Sequence, residues 1–248
     1  MSVTLEICCA TLADVENAYR GGADRIELNS AFPLGGLTPT LGVLRLARKC
    51  CPLPIAAMVR PRAGGFCYTE SEFETMVADA GLLLEEGVEA IVFGCLTRDK
   101  LVDMEKTRIL TDLAHSYGRE AVFHKAFDCI ADQDAALQQL ICLGVDRVLT
   151  SAGGKSAPSQ AEKLAHFVAT FGKHIAILPG GGIRPGNAKA LVTQTGVTQI
   201  HSSCGGFLED PTVEGNGVSY AYRQDIPPQL YETVDTQQVT ALREALDR

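Results

Sequence analysis

The sequence lacks the features that mark membrane-spanning, secreted and nucleic-acid-binding chains. No apolar run approaches the roughly 20 residues needed to cross a bilayer, and no block of lysine and arginine indicates an anionic membrane surface. The formal net charge of -8 argues against nucleic acid as a default partner. Residues 1–11 contain Glu6 and no basic stretch, so we expect no signal peptide.

Cysteine pairs with metal-binding or redox spacing are also missing. The chain has nine cysteines, an odd number, and no C-x-x-C string. In a chain without a signal peptide they indicate reduced thiols and a cytoplasmic location. Hydrophobic residues make up 46% and charged residues 21%, which predicts a folded protein with a large core. A length of 248 residues and the absence of a linker predict one domain over residues 1–248.

One local pattern recurs: a helical stretch ends in glycine and leads into a short strand rich in β-branched residues. The glycines are Gly22, Gly87, Gly118, Gly144, Gly172 and Gly196. Glycine adopts the left-handed conformation that ends a helix, and the spacing suits βα units of roughly 30 residues. The one double-length gap contains Cys51 and Pro52, where proline ends another helix.

The pattern predicts eight strands. They are residues 3–8, 25–29, 55–60, 90–94, 120–124, 147–151, 175–178 and 199–203. Alternating βα units imply a parallel sheet with right-handed crossovers, and eight of them usually close. We therefore predict an α/β fold, a single (β/α)8 TIM-type barrel. An open doubly wound sheet is the main alternative, but no G-x-G-x-x-G turn follows the first strand.

A long segment after strand eight interrupts this rhythm. Residues 204–235 hold several glycines and prolines, and we expect an irregular loop there, followed by a terminal helix over 236–247. So long a connection is typical of functional or disordered segments. A lid over the site, an oligomer arm and a simple surface loop all remain open.

Polar side chains fall at inward-facing positions near the carboxyl ends of the strands. Alternation points Glu6, Glu27 and Asn29 into the barrel. The other candidates at strand ends are Arg60, Arg62, His124, Asp128 and His201. A purely structural lumen is filled by aliphatic residues, and buried charges are costly unless they are paired. The cluster therefore favours an active site, and a structural ion-pair network is the alternative. For Glu6 taken alone, neither interpretation is favoured over the other.

Glycines and hydroxyl groups after strands six to eight predict an anion site. Gly180, Gly181 and Gly182 follow strand seven, and Ser202 and Ser203 end strand eight. Loops after strands seven and eight of such barrels often bind phosphate, since glycine exposes backbone N–H groups. After strand six, donors are added by Thr150 and Ser151. A tight turn before the next helix is the alternative.

The cysteines give only a weak metal pattern. Cys8 faces the lumen beside Glu6, whereas Cys9 points the opposite way in an extended strand. Thiolates favour Cu(I) and Zn(II). Cys67 and Cys204 lie in predicted loops near the mouth, but one thiolate alone makes a weak site.

Several strings, in one order, resemble the CutC family, which is named for copper homeostasis. They include Leu5-Glu-Ile-Cys8, Gly21-Gly-Ala-Asp-Arg-Ile-Glu-Leu28, Gly35-Gly-Leu-Thr-Pro-Thr-Leu-Gly42, Phe123-His-Lys-Ala-Phe-Asp128, Arg147-Val-Leu-Thr-Ser151 and Ile200-His-Ser-Ser203. The resemblance covers most of the chain and weakens after Cys204. It implies a cytoplasmic barrel, a homo-oligomer, and a role in copper tolerance through Cu(I) binding, without an established reaction.

The sequence departs from the family pattern at three places. The two cysteines of the family's proposed copper site correspond to Cys8 and Asn29, and asparagine is a hard, neutral ligand. The string that reads Arg-Pro-Arg-Gly-Gly-Asp in the family is Arg60-Pro-Arg-Ala-Gly-Gly65 here, and the usual arginine after His124 is Lys125.

Two functional hypotheses follow. The resemblance implies a cytoplasmic protein that binds or handles Cu(I) through Cys8, with Cys67, Cys204 or a histidine completing the site. The residues favour an enzyme that acts on a small anionic or phosphorylated metabolite by general acid/base chemistry at the strand ends. In the second hypothesis His124 or Glu6 is the base and Glu27, Asp128 or His201 the acid, with Arg60 and Arg62 pairing with the anion. Strict alternation points Lys125 away from this site.

Overall fold

The computed structural model describes residues 3–247. Eight parallel strands form its centre, in the order β7-β6-β5-β4-β3-β2-β1-β8. Their bounds are β1 Thr4–Cys9, β2 Arg25–Leu28, β3 Ile55–Met58, β4 Ala90–Phe93, β5 Glu120–Phe123, β6 Arg147–Thr150, β7 Ala176–Pro179 and β8 Gln199–Ser202. A single parallel bridge between Gly180 and His201 joins the last two strands. The predicted (β/α)8 barrel is confirmed, and each predicted strand lies within two residues of the observed one.

Helices alternate with the strands and cover the outside of the barrel. They are α1 Leu12–Arg20, α2 Leu41–Cys50, α3 Glu70–Glu85, α4 Met104–Ser116, α5 Gln133–Cys142, α6 Ala161–Phe171, α7 Pro185–Thr195 and α8 Thr236–Asp247. Capping boxes fix the starts of α1, with Thr11 and Asp14, and of α3, with Thr69 and Glu72. Within residues 3–247, no helix combines the length and apolar character that crossing a bilayer requires.

Glycine ends most of these helices as the sequence predicts. Gly196 closes α7 with a φ of 73°, a left-handed conformation that side chains with a Cβ rarely adopt. Gly172 is an exception, because it closes α6 with a φ of -61°. The predicted left-handed conformation of Gly172 is therefore wrong, because the chain makes one further turn between this residue and β7.

The interior of the barrel has an apolar half and a charged half. Leu5 and Ile7 point outward and belong to the large core between the strands and the helices. A second, small cluster fills the lumen from β3, β4 and β5, and consists of Ala56, Met58, Ala90, Val92 and Val122. The inward positions of β1, β2, β6 and β8 carry Glu6, Arg25, Glu27, Arg147 and His201 instead, so most charged groups within the strands lie opposite this cluster.

The segment after β8 is a β-ribbon and not an irregular loop. Strand β9, Gly205–Glu209, pairs antiparallel with β12, Leu230–Val234, and β10, Glu214–Gly215, pairs with β11, Val218–Ser219, at the tip. The ribbon is tied to α1, where Oδ1 of Asp14 accepts hydrogen bonds from Thr233 and Val234. The predicted irregular loop is therefore wrong, because strands this short between glycines and prolines carry little periodic signal.

Candidate functional site

A cavity of about 240 Å³ opens at the carboxyl ends of the strands. Its polar lining comes from Glu27, Asn29, Arg60, His124, Lys125 and His201. Its apolar lining comes from Phe32, Met58, Phe66 and Leu149. The sequence-predicted strand-end cluster is therefore largely brought together, and a small molecule would meet charged and aromatic surfaces at once.

Glu6 lies at the centre of a buried ion-pair network beside this cavity. Its carboxylate lies 2.5 Å from Nε of Arg25, 2.8 Å from Nδ1 of His201 and 3.5 Å from a terminal nitrogen of Arg147. Burial alone would raise the pKa of Glu6, but the His201 hydrogen bond and the two arginines outweigh it and lower the pKa to about 2. A carboxylate this stable is a poor general base, and its contacts instead fix His201.

Cys8, Glu27 and Asn29 form one hydrogen-bonded group on β1 and β2. The thiol of Cys8 donates to Oε2 of Glu27 over 3.2 Å, and Nδ2 of Asn29 donates to the Cys8 sulfur over 3.0 Å. Burial and the adjacent Glu27 carboxylate raise the pKa of Cys8, and burial also raises the pKa of Glu27. The predicted lumenal placement of Cys8 and the outward placement of Cys9 both agree with the structure.

His201 lies close enough to this group to form a metal-ligating set. One ligand atom each from Cys8, Glu27 and His201 lies within 4.8 Å of the others. Burial opposes a charge on His201, but the carboxylates of Glu27 and Glu6 outweigh that effect and raise its pKa. Of the additional ligands expected from the sequence, a histidine is therefore present. Cys67 is exposed, and Cys204 is buried against Ser202.

His124 has a different environment, which keeps its imidazole neutral. Burial, followed by the positive charge of Arg60, lowers the pKa of His124 to about 3. Its ring lies 4.9 Å from the ring of Phe66. A Cβ at Gly94 would lie 2.5 Å from the ring, so only glycine at the end of β4 leaves room for this side chain.

Four buried polar atoms around the cavity have no hydrogen-bond partner among the described residues. They are Oε1 of Glu27, Oδ1 of Asn29, Nε2 of His124 and Nε of Arg60. The terminal nitrogens of Arg60 are occupied, since they donate to the carbonyls of Leu34, Gly36 and Gly64. Buried polar atoms are rarely left unpaired in native proteins, and several around one cavity indicate a place for a polar ligand or water.

A second cavity of about 290 Å³ adjoins the first and shares Cys8, Phe32, Lys125 and His201 with it. Its other lining residues include Gly181, Gly182, Arg184, Ser202 and Ser203. The hydroxyl of Ser202 donates to the carbonyl of Ile183, whereas Ser203 is exposed. Glu232 also borders this cavity, but Arg223 pairs with it over 2.5 Å. Lys125 and Arg184 supply the positive charge that faces a ligand here, and Nζ of Lys125 also lies 3.8 Å from the carboxylate of Asp128.

Some predicted anion-binding residues lie elsewhere. The carboxylate of Asp128 accepts hydrogen bonds from the hydroxyl groups of Thr150 and Ser151 and from the Ser151 and Gly153 amides. These groups hold the loop after β6 and lie outside both cavities. Arg62 pairs with Glu72 over 2.5 Å and covers the ring of Tyr68. Gly180 also lies outside, because its amide bonds to the carbonyl of Thr150.

Sequence reasoning missed four functional side chains, and one of them, Arg184, lines only the second cavity. Lys125 lines both cavities, because strand alternation stops at Phe123 and a 3₁₀ turn, Lys125–Cys129, redirects the chain. Arg25 and Arg147 reach Glu6 from inward positions of β2 and β6. The alternation that places Glu27 inward also places Arg25 inward, so this signal was present in the sequence.

Comparison with known proteins identifies the family. The CutC family model matches residues 3–206. A CutC family protein from Treponema denticola is 42% identical over 228 residues, 92% of each chain. One from Vibrio vulnificus is 44% identical over 203 residues, 82% of this chain and 81% of that protein.

A solved structure gives the same result. The crystal structure of a copper homeostasis protein CutC from Streptococcus agalactiae superposes with a TM-score of 0.76 at 30% identity, covering 81% of this chain and 98% of that one. The family match thus spans the whole barrel, from β1 through β8, and includes every residue of the cavity beside Glu6. The chain belongs to the CutC family.

Proposed function

We propose that this protein is an enzyme that binds a small anionic metabolite at the strand ends and acts on it by general acid/base chemistry. The main support for this proposal is that buried polar atoms of Glu27, Asn29 and His124 lie around one cavity without hydrogen-bond partners among the described residues. Leaving such atoms unpaired costs about 1–3 kcal/mol each. A ligand with matching polar groups recovers that energy, and a bare metal ion would satisfy only the oxygen atoms.

The residues divide into reacting and positioning groups. Glu27 is the proton acceptor or donor, because it borders the cavity and has one free carboxylate oxygen. His201 is the second acid/base group, at the border of the two cavities. Glu6 holds His201 through their 2.8 Å contact, and Arg60 holds the loops that form the mouth. Asp128, Thr150 and Ser151 support the loop after β6 and take no direct part.

The second cavity is the anion subsite. Its support is the pairing of Lys125 and Arg184 with Gly181, Gly182 and Ser203 in one concave surface. Gly181 has a φ of 102° and Gly182 a φ of 74°, so neither position suits a residue with a Cβ. Positive side chains beside exposed backbone amides favour phosphate or carboxylate.

A thermal-unfolding screen tests this function. A ligand that binds only the folded state raises the unfolding temperature, and saturation at about 100 times the Kd stabilises by about 2.7 kcal/mol. The panel contains phosphate monoesters, carboxylates and inorganic phosphate. At least one anion should stabilise the wild type, Arg184→Ala should weaken that effect, and Arg62→Ala should leave it intact. A panel without a stabilising member would contradict the proposal.

Cu(I) handling is the second candidate function, and a separate observation favours it. Cys8, Glu27 and His201 bring three ligand atoms together, and the relative from Streptococcus agalactiae is named for copper homeostasis. The donor set fits Cu(I) only in part, because it has one sulfur, kept as a thiol by burial, and Asn29 adds no soft ligand. An anaerobic Cu(I) titration against a competing chelator tests it. Tight binding lost in Cys8→Ala supports the candidate, and weak binding equal in both proteins contradicts it.

We also infer a cytoplasmic location and a homo-oligomeric state. All nine cysteines are free, which suits a reducing compartment. The ribbon exposes the apolar side chains of Phe207, Leu208, Val218 and Tyr220, and a second copy of the chain would cover them. Light scattering after size exclusion measures the oligomer, and a monomer at high concentration would contradict that inference.

A further inference from the structure

The hydrogen bonds of His124 define which of its ring nitrogens carries the proton. The ring follows β5 directly, and its Nδ1 atom accepts the backbone N–H of Ala126 over 3.1 Å. An accepting Nδ1 has no hydrogen, so the neutral ring carries its hydrogen on Nε2. That Nε2 atom is buried and has no partner among residues 3–247. His124 therefore presents a single N–H donor to the cavity.

A neutral imidazole in this state is suited to one task. The uncharged ring donates a hydrogen bond to an oxygen atom through its N–H group. That hydrogen bond becomes stronger as the oxygen becomes negative. The low pKa of His124, about 3, means that the ring does not become an imidazolium near neutral pH. One well-understood way to form an enediolate pairs a neutral histidine of this kind with a glutamate base.

Glu27 provides the second half of this arrangement. Its Oε2 atom is occupied by Cys8 and Asn29, whereas Oε1 is buried and unpartnered among the described residues. Both Glu27 and His124 line the 240 Å³ cavity. The apolar side chains of Met58, Phe66 and Leu149 line the space that they share, and apolar surroundings strengthen both interactions once a ligand has displaced water.

We propose that the substrate is a phosphate monoester of a short hydroxy-carbonyl compound, and that Glu27 moves a proton at the carbon beside the carbonyl while Nε2 of His124 donates to the carbonyl oxygen. This inference rests on the proposed function and specifies its substrate class. The phosphate occupies the adjoining cavity, where Lys125 lies at the boundary and reaches both spaces. A Cβ on Gly181 would lie 3.1 Å from Nζ of Lys125, so the amine and the glycine backbone face one another.

The step balances without an added oxidant or reductant. The Glu27 carboxylate takes the proton, and the electron pair of the broken C–H bond forms a carbon–carbon double bond. The carbonyl π electrons move to the oxygen, which receives the hydrogen bond from His124. Protonated Glu27 then returns the proton. Return to the same carbon restores the substrate, and return to the neighbouring carbon gives the isomer, with the hydroxyl proton passing to the former carbonyl oxygen.

Deuterium exchange measured by NMR in D₂O tests the proposal. The probes are triose, pentose and hexose phosphates with aldehyde or ketone groups, each matched with the sugar-alcohol phosphate that lacks the carbonyl. We expect the wild type to exchange hydrogen beside the carbonyl of at least one probe, above a protein-free blank. Glu27→Gln should abolish the exchange, and His124→Ala should slow it by about 100- to 1000-fold. His124→Gln, which keeps an N–H donor, should recover part of the rate.

The outcomes separate this inference from the function on which it rests. If carbonyl and alcohol phosphates stabilise the wild type equally but no carbonyl phosphate exchanges deuterium, this inference is wrong and anion binding stands. Exchange that persists in Glu27→Gln would also overturn it. If no probe or other anion stabilises the wild type, the proposed function fails with it. Circular dichroism verifies that each variant is folded, and the wild-type exchange result decides the question even if one variant is not.

Discussion

Nδ1 of His201 lies 2.8 Å from Oε1 of Glu6, in the buried part of the barrel next to the mouth. The contact follows from the strand register, because Glu6 pairs with His201 across β1 and β8 and with Arg25 across β1 and β2. Two residues further along β1, Cys8 lies level with Glu27. The lumen therefore has a buried layer that fixes charges and, above it, a layer that faces the cavity.

Glu6→Gln should strongly destabilise the fold. The change leaves Arg25, Arg147 and His201 without their shared counter-charge, and removing one partner of a buried ion pair costs about 3–5 kcal/mol. Urea denaturation at neutral pH measures the loss. The matched control is Glu86→Gln, which removes a carboxylate paired with exposed Arg45 and should change stability far less. Equal losses in the two variants would contradict the assignment of Glu6 as a buried positioning residue.

The pH dependence of stability should reveal the neutral state of His124. Its pKa is about 3 in the folded protein against 6.5 for an unperturbed histidine. Below pH 6.5 the unfolded chain therefore binds a proton on His124 that the folded protein does not bind. The free energy of unfolding falls as the pH is lowered from 6.5 towards 3. His124→Gln removes this effect. The free energy of unfolding of the wild type, relative to His124→Gln, should fall by about 2 kcal/mol between about pH 7 and about pH 5.

Denaturation of both proteins at a series of pH values makes this measurement. Glu6, Glu27 and His201 also titrate, but they are common to the two proteins, and the difference isolates His124. Parallel stability curves for the two proteins would show that His124 is not held neutral.

The fold could be predicted from the sequence, but the separate roles of the residues in the site could not. The recurring glycine, strand and helix pattern is local, so it predicts the eight strands closely. Whether Glu6 faces the cavity or lies below it depends on the register between β1, β2 and β8, which one sequence does not contain. The direction of Lys125 depends on a 3₁₀ turn that starts at that residue.

The role of Asp128 could not be predicted from the sequence either. A carboxylate after a barrel strand is typical of an active site, and the sequence assigned it as an acid. The folded loop instead surrounds it with two hydroxyl groups and two amides. No local pattern distinguishes a carboxylate that binds its own loop from one that faces a ligand.

Asp128→Ala should therefore act on stability. It removes the acceptor of the Thr150 hydroxyl and of the Ser151 and Gly153 amides, whereas the Ser151 hydroxyl keeps the carbonyl of Gly154. A hydrogen bond to a charged group contributes about 1.5–3 kcal/mol, and bonds to water replace part of what is lost. We expect a loss of about 3 kcal/mol by urea denaturation. The control is Asp132→Ala, which removes the single N-cap bond to Ala135 and should cost about 1 kcal/mol. A loss for Asp128→Ala no larger than for this control would contradict the loop-anchoring role.

The tip of the β-ribbon should be dispensable for the fold. The amide of Asp210 bonds to the carbonyl of Gln229 over 2.8 Å, so an Asn-Gly turn can replace residues 211–228. The deletion also removes Arg223, the partner of partly exposed Glu232. We therefore expect a loss of at most about 1 kcal/mol. The contrasting variant is Val234→Ala at the buried base of the ribbon, which should lose about 2 kcal/mol. Val218 and Tyr220 of the proposed oligomer contact are removed with the tip, so the wild type and the deletion variant are compared at a concentration where they are monomeric. Strong destabilisation of the monomer would contradict the prediction.

The most direct test of the central claim is a crystal structure of the wild type with the anion that gives the largest thermal stabilisation. The account predicts that the ligand's anionic group lies beside Lys125 and Gly181. It also predicts that polar ligand atoms lie within hydrogen-bond distance of Oε1 of Glu27 and Nε2 of His124. A ligand bound elsewhere, with these two atoms contacting only water, would contradict the account.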